Sequence, residues 1–165
     1  MEPITFEYVK AEKIPQLAAM ADEIWHEFFP GVISKAQIDY MVEKFQSQAA
    51  IESQIAEQQY EYYFILCGGV PCGYIGLRPD GERLFLSKLY LKKEYRGRGI
   101  ARQAFDFIRQ SAVKRNLSAV YLTVNKHNTH SVEVYKHIGF RTIDTQAADI
   151  GAGFVMDDYI MQWTI

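Results

Sequence analysis

Three short runs rich in aromatic and β-branched residues follow one another in the middle of the chain. They are Tyr60–Cys67, Cys72–Arg78 and Arg83–Leu91, separated by Gly68-Gly69-Val70-Pro71 and by Pro79-Asp80-Gly81. Because connections this short join neighbouring strands that run in opposite directions, the segment predicts three consecutive antiparallel strands. The fold must therefore contain an antiparallel sheet with these strands near its centre.

Helices and further strands are predicted on both sides of this segment. Apolar residues that alternate indicate strands, and those that recur every three to four residues indicate helices. The predicted elements are strand Ile4–Lys10, helices Pro15–Phe29, Ile38–Phe45 and Ala49–Ala56, then helix Gly99–Arg115, strand Ala119–Val124, helix Thr129–His137 and strands Phe140–Ile143 and Phe154–Trp163. This order predicts an α+β fold, with a mixed, mostly antiparallel central sheet of about seven strands flanked by helices. One domain over residues 1–165 is expected.

Composition excludes several classes of protein. A net charge of -2 and a pI of about 6.1 give no positive field for nucleic acid. No apolar run approaches the length of a membrane span, and the N-terminus lacks a signal-peptide pattern, so a soluble cytoplasmic protein is expected. Cys67 and Cys72 are expected to be small, reduced, buried side chains. No metal is expected, because the histidines lack ligand spacing with acids or cysteines.

A turn with two glycines joins the third central strand to the following helix. It reads Arg96-Gly97-Arg98-Gly99-Ile100-Ala101. Unpaired amides at a helix N-terminus bind anions, and glycine lets the backbone come close to them. The spacing matches neither a Walker A loop nor a dinucleotide fingerprint. Taken alone, the pattern fits either a pyrophosphate site or an ordinary strand-to-helix connection.

Two motifs resemble those of the GNAT superfamily of N-acetyltransferases. The segment 89–104 resembles its motif A, whose signature is Arg or Gln, two residues, Gly, one residue, then Gly or Ala; Arg96, Gly99 and Ala101 match it. The segment 122–140 is similar to motif B, with Asn128, Tyr135 and Gly139-Phe140 at the expected spacings. The resemblance implies the acyl-CoA N-acyltransferase fold and acetyl-CoA as co-substrate.

The resemblance also implies a set of residues that bind the coenzyme. Main-chain groups around Leu89, Tyr90 and Leu91 would meet the pantetheine arm, and the turn amides the pyrophosphate. Arg98 and Arg102 would either meet phosphates or be solvated, and Asn128 would either contact the coenzyme or cap its helix. The implied set is Leu89, Tyr90, Leu91, Arg96, Gly97, Arg98, Gly99, Ile100, Ala101, Arg102, Asn128 and Tyr135.

For catalysis, the resemblance implies direct attack of an amine on the thioester, with Tyr135 as the general acid that protonates the departing thiolate. A core role for Tyr135 is the alternative. Many relatives carry a glutamate on the strand before motif A, where this chain has Ser87 and Lys88. The general base is therefore sought elsewhere, and Glu27 and His26 are candidates by topology, with a solvated helix end as the alternative for either.

The acceptor is expected to be a small-molecule amine such as a polyamine. The tail Gly153–Met161 looks like that of bacterial relatives of the polyamine acetyltransferases, and the predicted loop Ile143–Tyr159 is acidic. Carboxylates there and near the first helix would attract a cation; they are Asp144, Asp149, Asp157, Asp158, Asp22, Glu23 and Glu27. Turn capping and solvation are the alternative roles. A protein amine as acceptor and a non-catalytic acetyl-CoA sensor stay open, as does homodimer formation, which is common among relatives.

Overall fold

The computed structural model describes residues 2–165, which form a sheet with helices on both faces. The strands are β1 Ile4–Tyr8, β2 Glu61–Cys67, β3 Val70–Asp80, β4 Arg83–Leu91, β5 Ala119–Asn125, β6 Arg141–Gly151 and β7 Phe154–Thr164. The helices are α1 Ile14–Phe28, α2 Lys35–Met41, α3 Gln48–Glu57, α4 Ile100–Lys114 and α5 Thr129–Ile138. A π-helical turn, Val42–Gln46, continues α2.

The seven strands of the described chain lie in the order β1-β2-β3-β4-β5-β7-β6. Strand β4 pairs with β5 in parallel, and the other neighbouring strands pair in antiparallel fashion. The predicted mixed, mostly antiparallel sheet and the α+β class are therefore confirmed, with β2, β3 and β4 consecutive in the sheet as expected.

Two apolar layers hold the helices against the sheet. On one face, α4 packs through Ala104, Phe105 and Ile108 against β4 and β5. On the other, α1 and α3 pack through residues such as Leu17 and Ile51. A third cluster joins the C-terminal end of α1 to α2 and to the β6–β7 hairpin. Burial of these apolar side chains is the main stabilising contribution to such a layered fold.

Local sequence signals fix several helix ends. Pro15 lies in the first turn of α1, where its missing N–H costs nothing. Ser34 and Ser47 cap α2 and α3 with their hydroxyls. The side chain of Asn128 accepts from Ser131 N at 3.4 Å and so caps α5, as predicted. Gly139, at φ +130°, ends that helix.

The sixth strand is longer than predicted, whereas the seventh begins at the predicted residue. Strand β6 extends to Gly151 and β7 begins at Phe154, so the acidic stretch expected as a loop is a long hairpin that turns at Ala152-Gly153. Most side chains of β6 are exposed, and no apolar alternation marks the strand in the sequence. Main-chain pairing with β7 forms it instead.

Candidate active site

Strands β4 and β5 separate after a short paired segment. The pairing joins Arg83–Phe85 to Ala119–Tyr121, whereas β4 continues to Leu91 and β5 to Asn125. A cavity of about 780 Å³ occupies the resulting gap. It is lined from the α4 side by residues such as Ile100 and from the α1 side by residues such as Trp25. The gap therefore connects the two faces of the sheet.

A bulge in β4 decides which of its side chains reach each face. Gly76 pairs with Lys88 and Leu77 with Leu86, so Ser87 has no partner on β3. After the bulge, Lys88 and Tyr90 point toward α1, and Leu89 packs with the α4 layer. The N–H of Lys92 donates to the Cys72 carbonyl of β3 at 2.8 Å. Successive residues of a strand direct their N–H and C=O groups to opposite edges, so residues one and three positions before Lys92 face away from β3. The main-chain groups of Leu89 and Leu91 therefore point into the gap.

The turn between β4 and α4 has the geometry of an anion site. Gly97 and Gly99 lie at φ +74° and +77°, a region that glycine adopts without strain. A Cβ at either position would meet nothing within 4 Å, so the backbone is open to close approach. The amides of the first turn of α4 have no intrahelical partners. These features fit a pyrophosphate at the predicted position, and Gly97, Gly99, Ile100 and Ala101 line the cavity.

The arginines of the turn have different surroundings. The guanidinium of Arg96 donates from Nε and Nη2 to the carbonyl of Leu91, at 3.1 and 2.8 Å, and lies 4.9 Å from the ring centroid of Phe28. It braces the turn against β4 and α1. Arg98 is exposed and lies 5.3 Å from the ring centroid of Tyr95, and Arg102 is exposed on α4.

The two candidate bases at the end of α1 are both engaged by other residues. The Oε1 of Glu27 lies 2.8 Å from Nη2 of Arg96, and Oε2 accepts from Nη1 at 3.2 Å. His26 bonds to Asp39 and to the main chain of Asp22, and these two hydrogen bonds raise the pKa of its imidazole. Both residues lie outside the cavity lining. A catalytic role for either stays a prediction.

Tyr135 lies on α5 and lines the cavity. Its ring packs edge-on to the ring of Phe105, with the centroids 5.9 Å apart. The centroid of the Phe140 ring also lies 5.9 Å from that of Tyr135. Burial raises the pKa of Tyr135 to about 12, so its hydroxyl keeps the proton at neutral pH and can donate it. Asn128 also lines the cavity while it caps α5. Its two suggested roles are therefore compatible.

Asp158 is the acidic side chain that the structure places in the cavity wall. It is 3% exposed, and its Oδ1 has no hydrogen-bond partner among residues 2–165. Burial raises the pKa of its carboxyl from 3.8 to about 6, and nearby Asp157 adds to the effect while Lys126 opposes it. In β7, Met161 packs with the α4 layer, whereas Met156 packs with the cluster around Trp25. Because strand side chains alternate, Asp158 shares the face of Met156.

The expected acidic patch does not gather around the cavity. Asp157 pairs with Lys126 at 2.9 Å. Asp144 and Asp149 accept hydrogen bonds from main-chain amides of their own hairpin, and Asp22 pairs with His26. Among the described acids, Asp158 alone belongs to the cavity lining. The alternation of β7 contains the signal that could have singled it out, since Asp158 falls between Met156 and Ile160 on one face.

Lys88 directly follows the bulge at Ser87 and pairs with Gly76 of β3. It is 5% exposed, and its Nζ donates to the Phe45 carbonyl at 2.7 Å and to Gln54 Oε1 at 3.1 Å, and also bonds to the Tyr62 hydroxyl. Burial lowers the pKa of Lys88 to about 7. The side chain thereby ties the π-helical turn and α3 to the sheet.

Three other observations concern the described chain. Residues 2–165 contain no group of three or more His, Cys, Asp or Glu side chains that could hold a metal ion. None of their helices is long and apolar enough to cross a membrane. Cys67 and Cys72 are free and buried, as predicted, and burial raises the pKa of both thiols.

Comparison with known proteins agrees with this geometry. Residues 17–140 match the model of the acetyltransferase (GNAT) family. Spermidine N(1)-acetyltransferase of Thermoplasma acidophilum is 23% identical over 150 residues, which cover 88% of this chain and 91% of that protein. An N-acetyltransferase in the pepI 3′ region of Lactobacillus delbrueckii subsp. lactis is 24% identical, over 79% of this chain and 80% of its own length.

A solved structure shares the whole fold. The crystal structure of PaiA N-acetyltransferase from Thermoplasma acidophilum in complex with coenzyme A superposes with a TM-score of 0.83 and 21% identity, and covers 99% of each chain. The family match spans well over half of the present chain, and the gap, the turn and Tyr135 occupy one connected cavity. The chain therefore belongs to the acetyltransferase (GNAT) family and is an N-acetyltransferase.

Proposed function

We propose that this protein transfers an acetyl group from acetyl-CoA to a primary amine of a small molecule, such as a polyamine, by direct attack in a ternary complex. The observation that carries the proposal is the continuity of the cavity through the sheet. Its lining includes the glycine turn on one side and the aromatic wall at the end of α1 on the other. A donor bound on the α4 side and an amine bound on the α1 side would meet in the gap.

On the donor side, the turn amides would hold the pyrophosphate, and the main chain of Leu89 and the amide of Leu91 would pair with the pantetheine arm. The Leu91 carbonyl already accepts from Arg96. Asn128 and Tyr135 border the same channel from α5. The amide of Arg96 donates to the Lys93 carbonyl at 3.2 Å, and its guanidinium is bonded to Leu91 and Glu27. Arg96 would therefore contribute by positioning the turn. Arg98 and Arg102 lie outside the cavity lining. There they would contribute positive charge near coenzyme phosphates that extend beyond the cavity.

In the chemical step, the amine nitrogen attacks the thioester carbonyl carbon and a C–N bond forms. The C–S bond then breaks, its electron pair goes to sulfur, and the sulfur takes a proton from the Tyr135 hydroxyl. A hydroxyl that stays protonated at neutral pH suits this role. Main-chain donors near Leu89 would polarise the carbonyl oxygen. No acyl-enzyme is required, and the two cysteines take no part.

A polyamine acceptor is supported by the relative named spermidine N(1)-acetyltransferase. The test is release of free thiol from acetyl-CoA across polyamines, amino acids and peptides. Acceptor-dependent release with polyamines is expected. Release with peptides alone would favour a protein amine, and tight acetyl-CoA binding without any release would favour a sensor. The single-domain organisation, the cytoplasmic location and self-association stay predictions.

A further inference from the structure

Asp158 lies between two amide side chains at one level of the sheet. Its register partners are Asn125 on β5 and Gln146 on β6. Directly paired residues of antiparallel strands place their side chains on the same face, and all three residues line the cavity. The Oδ1 of Asn125 accepts from the main chain of His127 at 2.9 Å. The carboxylate is thus held on rigid strands rather than on a loop.

The carboxylate of Asp158 lacks the partner that burial normally requires. Buried charges in proteins are generally paired and hydrogen-bonded, because an unpaired one loses its hydration without compensation. Lys126, the cation that acts on Asp158, is bonded to Asp157 instead. The Oδ1 of Asp158 is therefore an unsatisfied acceptor, buried in the wall of a cavity large enough for a ligand.

The position of Asp158 separates it from the donor site. The glycine turn and α5 approach the gap from the α4 side, whereas Asp158 shares its face with Met156, which packs near α1. Burial raises the pKa of the Tyr90 hydroxyl, and the nearby Tyr135 and Asp158 add to the effect. Tyr90, Tyr135 and Asp158 all line the same cavity. Glu27 differs from Asp158, because both of its carboxylate oxygens are bonded to Arg96.

We propose that Asp158 binds the ammonium group of the acceptor and takes the proton that the amine must lose before attack. This inference rests on the proposed amine acetyltransfer. Of the three ammonium protons, one passes to Asp158 and then to solvent, and one remains on the amide nitrogen. The third restores Tyr135 after that residue has protonated the sulfur. Proton transfer to Asp158 leaves the nitrogen lone pair free for the new C–N bond.

The rest of the wall indicates the kind of amine that fits. Around Asp158 and the end of α1 the lining is largely apolar, with Phe29, Ile33, Met41, Ile150 and Met156. The charged groups that act on the Asp158 carboxyl are Asp157 and Lys126, and Asp158 in turn acts on Tyr90. Lys88, His130 and Tyr135 belong to the same cavity lining. A primary ammonium on an aliphatic stem matches one carboxylate in an apolar wall.

The test compares Asp158→Asn with Asp157→Asn, a neighbour on the opposite face that pairs with Lys126. Spermidine binding to the CoA-saturated protein is measured by calorimetry, and steady-state kinetics are measured for both substrates. Asp158→Asn should weaken spermidine binding about 10- to 100-fold, because a hydrogen-bonded charge pair is lost. It should lower kcat/KM for the amine by at least as much, with KM for acetyl-CoA within about twofold of the wild-type value. Asp157→Asn should bind spermidine like the wild type.

A second measurement on the wild-type protein does not depend on how the variant folds. The Asp158 carboxyl carbon is followed by NMR as a function of pH, with and without spermidine. A bound cation should move its titration to lower pH. Unchanged titration, or wild-type binding and kcat/KM in Asp158→Asn, would overturn the inference while leaving the acetyltransfer intact. A wild-type protein that binds no amine and releases no thiol with any amine would overturn both.

Discussion

Arg96 of the glycine turn and Glu27 of α1 form a two-pronged ion pair, with Nη2–Oε1 at 2.8 Å and Nη1–Oε2 at 3.2 Å. The pair links the helix that borders the acceptor side to the turn that would hold the donor. Because Arg96 also caps the Leu91 carbonyl, it fixes the end of β4 as well. The position of the turn thus depends on α1.

Arg96→Ala should raise KM for acetyl-CoA about tenfold, because the turn loses its braces to Leu91 and α1. The value of kcat should change less. Initial rates with acetyl-CoA varied at saturating amine provide the measurement. Lys93→Ala, which removes an exposed cation from the same connection, is the matched control. An unchanged KM in Arg96→Ala would show that the turn is held by its backbone alone.

Glu27→Gln separates two roles for that carboxylate. If Glu27 acts chiefly as the partner of Arg96, the variant should show a modest rise in KM for acetyl-CoA, with kcat within about threefold of the wild type. If Glu27 is the general base, kcat should fall by about 100-fold or more and the acidic limb of the pH profile should disappear. We expect the first outcome, since both oxygens already bind Arg96.

Tyr135→Phe should lower kcat by about 100-fold or more, because the departing thiolate loses its proton donor. Acetyl-CoA affinity should stay nearly constant, since the ring still packs against Phe105 and Phe140. Single-turnover rates and equilibrium binding of acetyl-CoA separate the two effects. Tyr159→Phe removes a hydroxyl from a tyrosine outside the cavity and should retain full turnover. Wild-type turnover in Tyr135→Phe would leave this tyrosine a core residue.

Asp158 should make the fold less stable as pH rises. Its folded-state pKa of about 6 exceeds the ordinary 3.8, so the folded state binds the proton more tightly than the unfolded state between these values. The contribution of Asp158 to the free energy of unfolding is therefore most favourable below about pH 4, and this contribution is lost as the pH rises through 6. Asp158→Asn should exceed the wild type by roughly 3 kcal/mol in unfolding free energy at pH 8, and by nothing at pH 3.5. Urea unfolding at several pH values measures the difference.

Lys88 should have the opposite pH dependence. Its pKa falls from 10.5 to about 7 on folding, so the unfolded chain binds more protons between these values and stability rises with pH. The free energy of unfolding should gain about 1.4 kcal/mol per pH unit in this range. Lys88→Met should lack this gain, and it leaves the Tyr62 hydroxyl bonded to Gln54. Equal slopes in wild type and variant would contradict the assignment.

How far the sequence predicts this fold differs from strand to strand. Strand β4 has the predicted bounds, Arg83–Leu91, because turn residues and apolar alternation both mark it. The sequence pattern predicts an end of strand β6 at Ile143, whereas the strand continues to Gly151. Its exposed residues give no periodic signal, and pairing with β7 stabilises it. The π-helical turn at Val42–Gln46 replaces the end of a predicted regular helix, where main-chain and side-chain bonds to Gln54 and Lys88 decide the geometry.

The candidate site shows the same division. The glycine turn and Asn128 could be found because local motifs mark them, and the structure places both on one cavity. The distinct position of Asp158 depends on the pairing of β7 with β5 and β6, which are distant in sequence. One position in the alternation of β7 separates it from Asp157, which is half-exposed and paired with Lys126.

The short contact between β4 and β5 has a mechanical consequence. In the described chain, strands β1 to β4 and strands β5 to β7 meet in the sheet through only the three residue pairs from Arg83 to Phe85. A pantetheine chain lying in the gap would supply the cross-links that are missing along Leu89 and Leu91. The donor would then act as an eighth, transient strand. Its binding would bridge the two halves of the sheet, and its release would separate them again in each catalytic cycle.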